Sequence, residues 1–97
     1  MADPRRLCAA TTEGHLEAVR ALLAGGADPN SKNAKGQTVL QNAVFWSQIE
    51  ISLLLIEGGG DVTVKDGKGK SLREKMNPKM LDAVGPALEA AEAKADL

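Results

Sequence analysis

Ninety-seven residues are room for one domain, and folding at this size buries only roughly 60–65% of the unfolded chain's surface, so the core must be economical. Apolar residues make up 43% and charged residues 26%, and the longest uncharged apolar run, residues 51–56 with Ser52 inside it, falls far short of the ~20 residues that span a bilayer. Twelve Lys and Arg against thirteen Asp and Glu leave a net charge of −1, so no whole-molecule field gathers nucleic acid or anionic membrane, and an electrostatic partner must be met by a local patch.

The first predicted helix covers residues 4–12, with Asp3 as N-cap and Pro4 at the first helical position, where its missing N–H costs nothing. Gly14-His15 turns the chain into a second helix over residues 16–24. Leu16, Val19, Leu22 and Leu23 form its apolar stripe, and Gly25-Gly26 supplies the left-handed residue that stops it. Thr38 caps a third helix over residues 39–45, Ser47-Gln48 turns, and residues 49–57 form a fourth, ended by Gly58-Gly59-Gly60. Ser71 caps another start at Leu72. Asn77-Pro78 opens a short helix over residues 79–84, which Gly85-Pro86 is expected to end, and the Ala- and Glu-rich residues 87–97 are expected to be partly helical with Leu88 and Ala91 inward. Leu22 and Leu55 are expected in the core.

These elements recur at an offset of 33 residues. Residues 24–30 return as 57–63, Leu7, Ala10, Leu16, Leu22 and Leu23 as Leu40, Ala43, Ile49, Leu55 and Ile56, and Gly36-Gln37-Thr38 as Gly69-Lys70-Ser71. Each unit reads helix, turn, helix, loop. Gly14-His15, Leu22-Leu23, Gly26-Ala27-Asp28-Pro29-Asn30 and Gly36-Gln37-Thr38-Val39-Leu40 resemble the ankyrin repeat. That resemblance implies an all-α fold, a short ankyrin solenoid of about two and a half repeats plus a C-terminal helix, in one domain with units of about 1–33, 34–66 and 67–97. Departures are visible. Gln41 stands where the family has histidine, so the usual histidine hydrogen bond is expected to be missing, and Gly60 replaces the usual Ala. In the third unit Arg73 falls where a buried Leu is expected and Met76 where a small Ala is expected, and beyond Met76 the offset is expected to fail.

Chemistry is sparse. Gly67-Lys68-Gly69-Lys70-Ser71 looks like a phosphate loop, but Val64 stands where the first glycine is needed and no strand precedes it. The lone His15 completes no metal site and is read as structural, and no nucleophile, base and orienting acid come together, so neither an enzyme nor a cofactor is expected. The single Cys8 excludes an intramolecular disulfide and is read as a small buried residue. With no apolar secretory segment at the N-terminus, a cytoplasmic or nuclear location is expected.

Local charge is polarised: Lys65, Lys68, Lys70, Arg73, Lys75 and Lys79 face Asp66 and Glu74, a balance of +4, while residues 81–97 carry −3. Either the lysines are a solvated loop that keeps the end of the array soluble, or they steer an acidic protein partner. Phe45-Trp46, the only aromatic residues, replace Thr12 and Glu13 of the first unit. Phe45 is expected to be buried and Trp46 partly exposed as an interface anchor beside the lysine loop. The resemblance implies protein binding through loop tips and concave helix ends: Lys32, Asn33, Lys35 and Gln37 on the first loop, Lys65, Asp66, Lys68 and Lys70 on the second, and Glu13, Phe45 and Trp46 on the helix ends. An adaptor or inhibitor, monomeric when free, is the expected role. Residues 61–71 are similar to the last loop of myotrophin-type ankyrin proteins, which implies the actin capping protein as one partner class, and residues 18–23 resemble the ankyrin-type inhibitors of cyclin-dependent kinases. A nucleic-acid-associated or scaffold subunit using the basic loop is the rival class, disfavoured by the lack of stacking aromatics; no membrane partner is expected.

Overall fold

The computed structural model describes residues 4–33 and 35–95. Six helices follow in order: α1 (Pro4–Glu13), α2 (Leu16–Ala24), α3 (Val39–Phe45), α4 (Ile49–Glu57), α5 (Leu72–Lys75) and α6 (Pro78–Ala95). Asp3, the expected cap of α1, lies outside the described residues. Among the described residues the only extended pairing is two isolated antiparallel bridges, Lys32 with Thr38 and Lys65 with Ser71, which pinch the two long loops at their bases.

The helices stack in two layers, α1, α3 and α5 in one and α2, α4 and α6 in the other, each odd-numbered helix of the first two pairs folding back on its even-numbered successor. The core between them is apolar and continuous: Leu7, Val19, Val39, Leu40, Ala43, Val44, Ile51, Leu55, Leu72, Met80, Val84 and Leu88 are all buried. Leu55 is fully buried, whereas Leu22 and Leu23 are only half-buried and pack on the edge of the core, because α2 has a neighbour on one side alone. Cys8 is buried, and that burial pushes its thiol up from the ordinary value.

The turns repeat with the helices. Gly14 has φ +76, and its counterpart Ser47 takes φ +54, a left-handed residue without glycine's freedom. The turn is held by Ser47 N–H to the Val44 carbonyl at 3.1 Å and by Asn77 Nδ2 donating to Ser47 Oγ at 3.3 Å. Gly26 and Gly59, at φ +98 and +99, carry the chain out of α2 and α4 as the double-glycine pattern requires. At Gly60 a methyl group would meet the Leu55 carbonyl oxygen at 2.8 Å, so the backbone has closed into the space an alanine would take. Between loops, Asn30 Oδ1 accepts the Asp61 N–H at 2.6 Å and ties the first unit to the second.

Two expectations about the C-terminal third are corrected. Gly85-Pro86 does not end a helix: α6 runs through it for 18 residues. Gly85 has no Cβ to collide with the proline ring, which lets the residue before Pro86 stay helical. The interior proline costs ~3 kcal/mol, and burying Leu88 beyond it stabilises by ~1.5–3 kcal/mol, with Ala87, Ala91 and the Arg73–Glu92 pair adding to that. Nor does the 33-residue offset fail: Val84, Gly85 and Leu88, all buried, stand 33 positions after Ile51, Ser52 and Leu55. Arg73, where a buried Leu was expected, is half-buried and reaches α6, with its guanidinium 2.9 Å from Glu92 and 3.8 Å from Glu89. Met76 is buried.

Two grooves divided by Phe45

The two long loops share one construction. In the first, Asn33 Oδ1 accepts the N–H of Lys35 at 2.9 Å and of Gln37 at 3.0 Å, and Asn33 N–H donates to the Gln37 carbonyl at 2.8 Å. In the second, 33 residues on, Asp66 Oδ1 accepts the N–H of Lys68 at 2.8 Å and of Lys70 at 2.9 Å. Asn and Asp suit this place because their short side chains bond backbone two to four residues ahead and close the turn. The carboxylate does one thing more: Asp66 Oδ2 lies 2.8 Å from Lys75 Nζ. The Lys75 hydrogen bond first, then the Lys70 and Lys68 backbone N–H groups, hold the Asp66 carboxyl down to about 2.

Thr38 and Ser71 close the loops and begin the next helices. Thr38 Oγ1 accepts the Gln41 N–H at 3.1 Å while Gln41 Oε1 accepts the Thr38 N–H at 2.8 Å, a reciprocal cap. The hydrogen bond expected to be missing at the histidine position is therefore supplied by glutamine.

Phe45 is not buried: 65% of it is exposed, and Trp46 is 52% exposed. The buried face of α3 is taken by Val39, Leu40, Ala43 and Val44, and Phe45 lies off it. Helix α5 is one turn long and turns away into α6, so nothing covers the ring. The two rings meet edge to face, centroids 5.1 Å apart at 85°. Phe45 divides two grooves. On one side, between α3 and α5, Val44 and Leu72 make an apolar floor and Asp66, Lys70 and Lys75 a charged rim, with about 400 Å³ of empty space open to solvent. On the other, Trp46, Asn42 and Thr12 face Asn33, Lys35 and Gln37 of the first loop.

Of the predicted residues, Gln37, Phe45, Asp66 and Lys70 meet in the first groove, and Asn33, Lys35 and Trp46 join Gln37 and Phe45 in the second. Trp46 thus borders the first loop, and Phe45 is the aromatic residue beside the lysine loop. Glu13, Lys32, Lys65 and Lys68 line neither groove; Glu13 instead pairs with the exposed His15 at 3.3 Å, and Lys65 borders a shallow depression with Arg73 and Glu92. The work of His15 in the turn is done by its backbone N–H on the Ala10 carbonyl at 2.9 Å. Sequence reading missed Lys75, Gln41, Asn42 and Thr12, and the signal for Lys75 was available: it stands three to four residues inside the helix that Ser71 caps, on the side facing Asp66. Among the described residues no group of three His, Cys, Asp or Glu could hold a metal, and no helix is long and apolar enough to cross a membrane.

A family model described as ankyrin repeats (many copies) matches residues 7–56. The chain is 49% identical over 57 residues to the ankyrin repeat domain-containing protein 13B of Homo sapiens, a match that covers 56% of this chain and 9% of that protein. It is 37% identical over 57 residues to the E3 ubiquitin-protein ligase KEG of Arabidopsis thaliana, covering 57% of this chain and 4% of the ligase. The chain therefore spans a small fraction of the length of these relatives. Among solved structures, an ankyrin repeat domain from Acinetobacter baumannii superposes with a TM-score of 0.78 at 26% identity, over 89% of this chain and 46% of the other.

Proposed function

The chain belongs to the ankyrin-repeat family, whose repeats are in general protein–protein interaction modules, and from that premise we propose that it binds a partner protein through the face divided by Phe45. The observation that carries this is the exposure of Phe45 and Trp46, 65% and 52%, at helix-end positions where the first unit has Thr12 and Glu13. Two large apolar rings left in water between polar loops have no role in the core, and aromatic side chains ringed by polar groups are what interface anchors are made of. The role is that of an adaptor or inhibitor, with no catalysis of its own, acting as a monomer in the cytoplasm or nucleus. Units of residues 1–33, 34–66 and 67–97 are its building blocks, since turn, cap and loop geometry recur at that spacing. The similarity of residues 61–71 to the myotrophin loop supports regulation of the actin capping protein as one form of this role.

A photo-crosslinking residue placed at position 45 or 46, and separately at Glu57 on α4, tests the assignment in cells. Discrete protein adducts from positions 45 and 46 and none from 57 are expected; adducts from 57 alone would move the binding face to the other layer.

A further inference from the structure

Resting on that reading, we infer that the occupant of the groove between Phe45 and Lys70 is an extended acidic segment of the partner protein carrying one apolar side chain. The groove's apolar part is small. Val44 and Leu72 form its floor and the Phe45 ring one wall, which suits a single aliphatic or aromatic side chain.

Its polar part is made almost wholly of donors. Both oxygens of Asp66 are engaged, Oδ1 by the Lys68 and Lys70 N–H groups and Oδ2 by Lys75. Gln41 Oε1 is engaged by the Thr38 N–H, Gln37 Oε1 by Asn33 Nδ2 at 3.2 Å, and Ser71 Oγ by the Glu74 N–H at 3.3 Å. What remains to offer a ligand are the amide NH₂ groups of Gln37 and Gln41 and the ammonium groups of Lys70 and Lys75. Such a set asks for acceptors: side-chain carboxylates and the carbonyls of an extended backbone.

The charge of the two layers agrees. The loop tips, residues 32–38 and 65–71, hold five lysines against Asp66 alone, and that aspartate is already paired. The other layer, α2, α4 and α6, holds Glu17, Glu50, Glu57, Asp82, Glu89 and Glu92 against Arg20, Lys79 and Lys94. An acidic segment is therefore drawn to the groove side and repelled from the other. A nucleic acid would also bring acceptors, but one ring and one side-chain-sized floor give successive bases no row of stacking platforms.

The test is a displayed library of random twelve-residue peptides panned against the whole folded chain at low salt. Selected peptides are then titrated into wild type, Phe45→Ala, Lys70→Glu and Glu57→Lys. Enrichment of Asp and Glu around one Leu, Ile, Phe or Met is expected, with binding weakened about tenfold or more by Phe45→Ala, about fivefold by Lys70→Glu together with a flatter salt dependence, and not at all by Glu57→Lys. Peptides that depend on Phe45 but carry no acidic enrichment overturn the acidic segment and leave the binding face standing. Peptides indifferent to Phe45→Ala overturn both. Failure to select any peptide, displacement of selected peptides by a twenty-nucleotide thymidine strand, or a dimer in sedimentation that Phe45→Ala dissolves each overturns the inference in favour of no linear segment, nucleic acid, or a second copy.

Discussion

Asn42 Nδ2 donates to Thr12 Oγ1 at 2.6 Å, and that hydroxyl in turn donates to the Cys8 carbonyl at 3.0 Å. Through it α3 is fastened to α1, beneath the rim of the groove that Trp46 borders. The link has no copy elsewhere in the array, since Asn42 aligns with Ala9 and Lys75.

Asn42→Ala removes a buried side chain whose amide bridges two units. It is expected to cost ~1–2 kcal/mol, a fall of several degrees in Tm for a domain of this size, read by thermal unfolding followed by circular dichroism. An unchanged Tm would show that the Leu7, Leu40 and Ala43 packing holds the two helices without it.

Stability should fall in acid through a specific carboxylate. The folded pKa of Asp66 is about 2, below the ordinary ~3.9 of an unfolded aspartate, so the unfolded state binds more protons between those values. Its contribution is therefore complete above about pH 5 and is lost as pH falls toward 2. The Thr63 hydroxyl and N–H lower Asp61 in the same direction. Asp66→Asn should keep the loop, as Asn33 does in the first unit, while making the acid limb of stability against pH shallower in urea titrations from pH 2 to 6. An acid limb as steep as wild type would place the effect elsewhere.

Ser52→Ala should stabilise. Ser52 Oγ is fully buried and finds no hydrogen-bond partner among the described residues, where Val19 and Gly85 stand in the neighbouring units. An orphaned hydroxyl costs ~1–3 kcal/mol, so its removal is expected to return about 1 kcal/mol in chemical denaturation. A loss of stability would mean that the hydroxyl is satisfied in solution.

Pro86→Ala should also stabilise, by ~1–3 kcal/mol, because it restores the N–H that the Asp82 carbonyl lacks in the middle of α6. A lower Tm would mean that proline's restriction of the unfolded chain outweighs the missing bond.

The repeat was legible because each unit carries the same punctuation: a capping Thr or Ser, a left-handed residue between helices, a double glycine and an Asx loop all return after 33 residues. The span of α6 was not, since Gly85-Pro86 carries every local mark of a stop and only the stripe of Met80, Val84 and Leu88 against α4 overrides it. The exposure of Phe45 was hidden for a similar reason. An aromatic residue next to a buried valine reads as core until α5 is seen to be a single turn that leaves it uncovered. The grooves are legible only in three dimensions, because Asn33, Gln37, Asp66 and Lys75 reach Phe45 through loops folded back on α3 and α5.

The most direct measurement of the central claim is calorimetric titration of the protein recovered by the position-45 cross-link into wild type, Phe45→Ala with Trp46→Ala, and Glu50→Lys with Glu57→Lys. Loss of about 100-fold or more in affinity for the aromatic pair, with the α4 variant unchanged, is the predicted result. Unchanged affinity in the aromatic variant with loss in the α4 variant would contradict it.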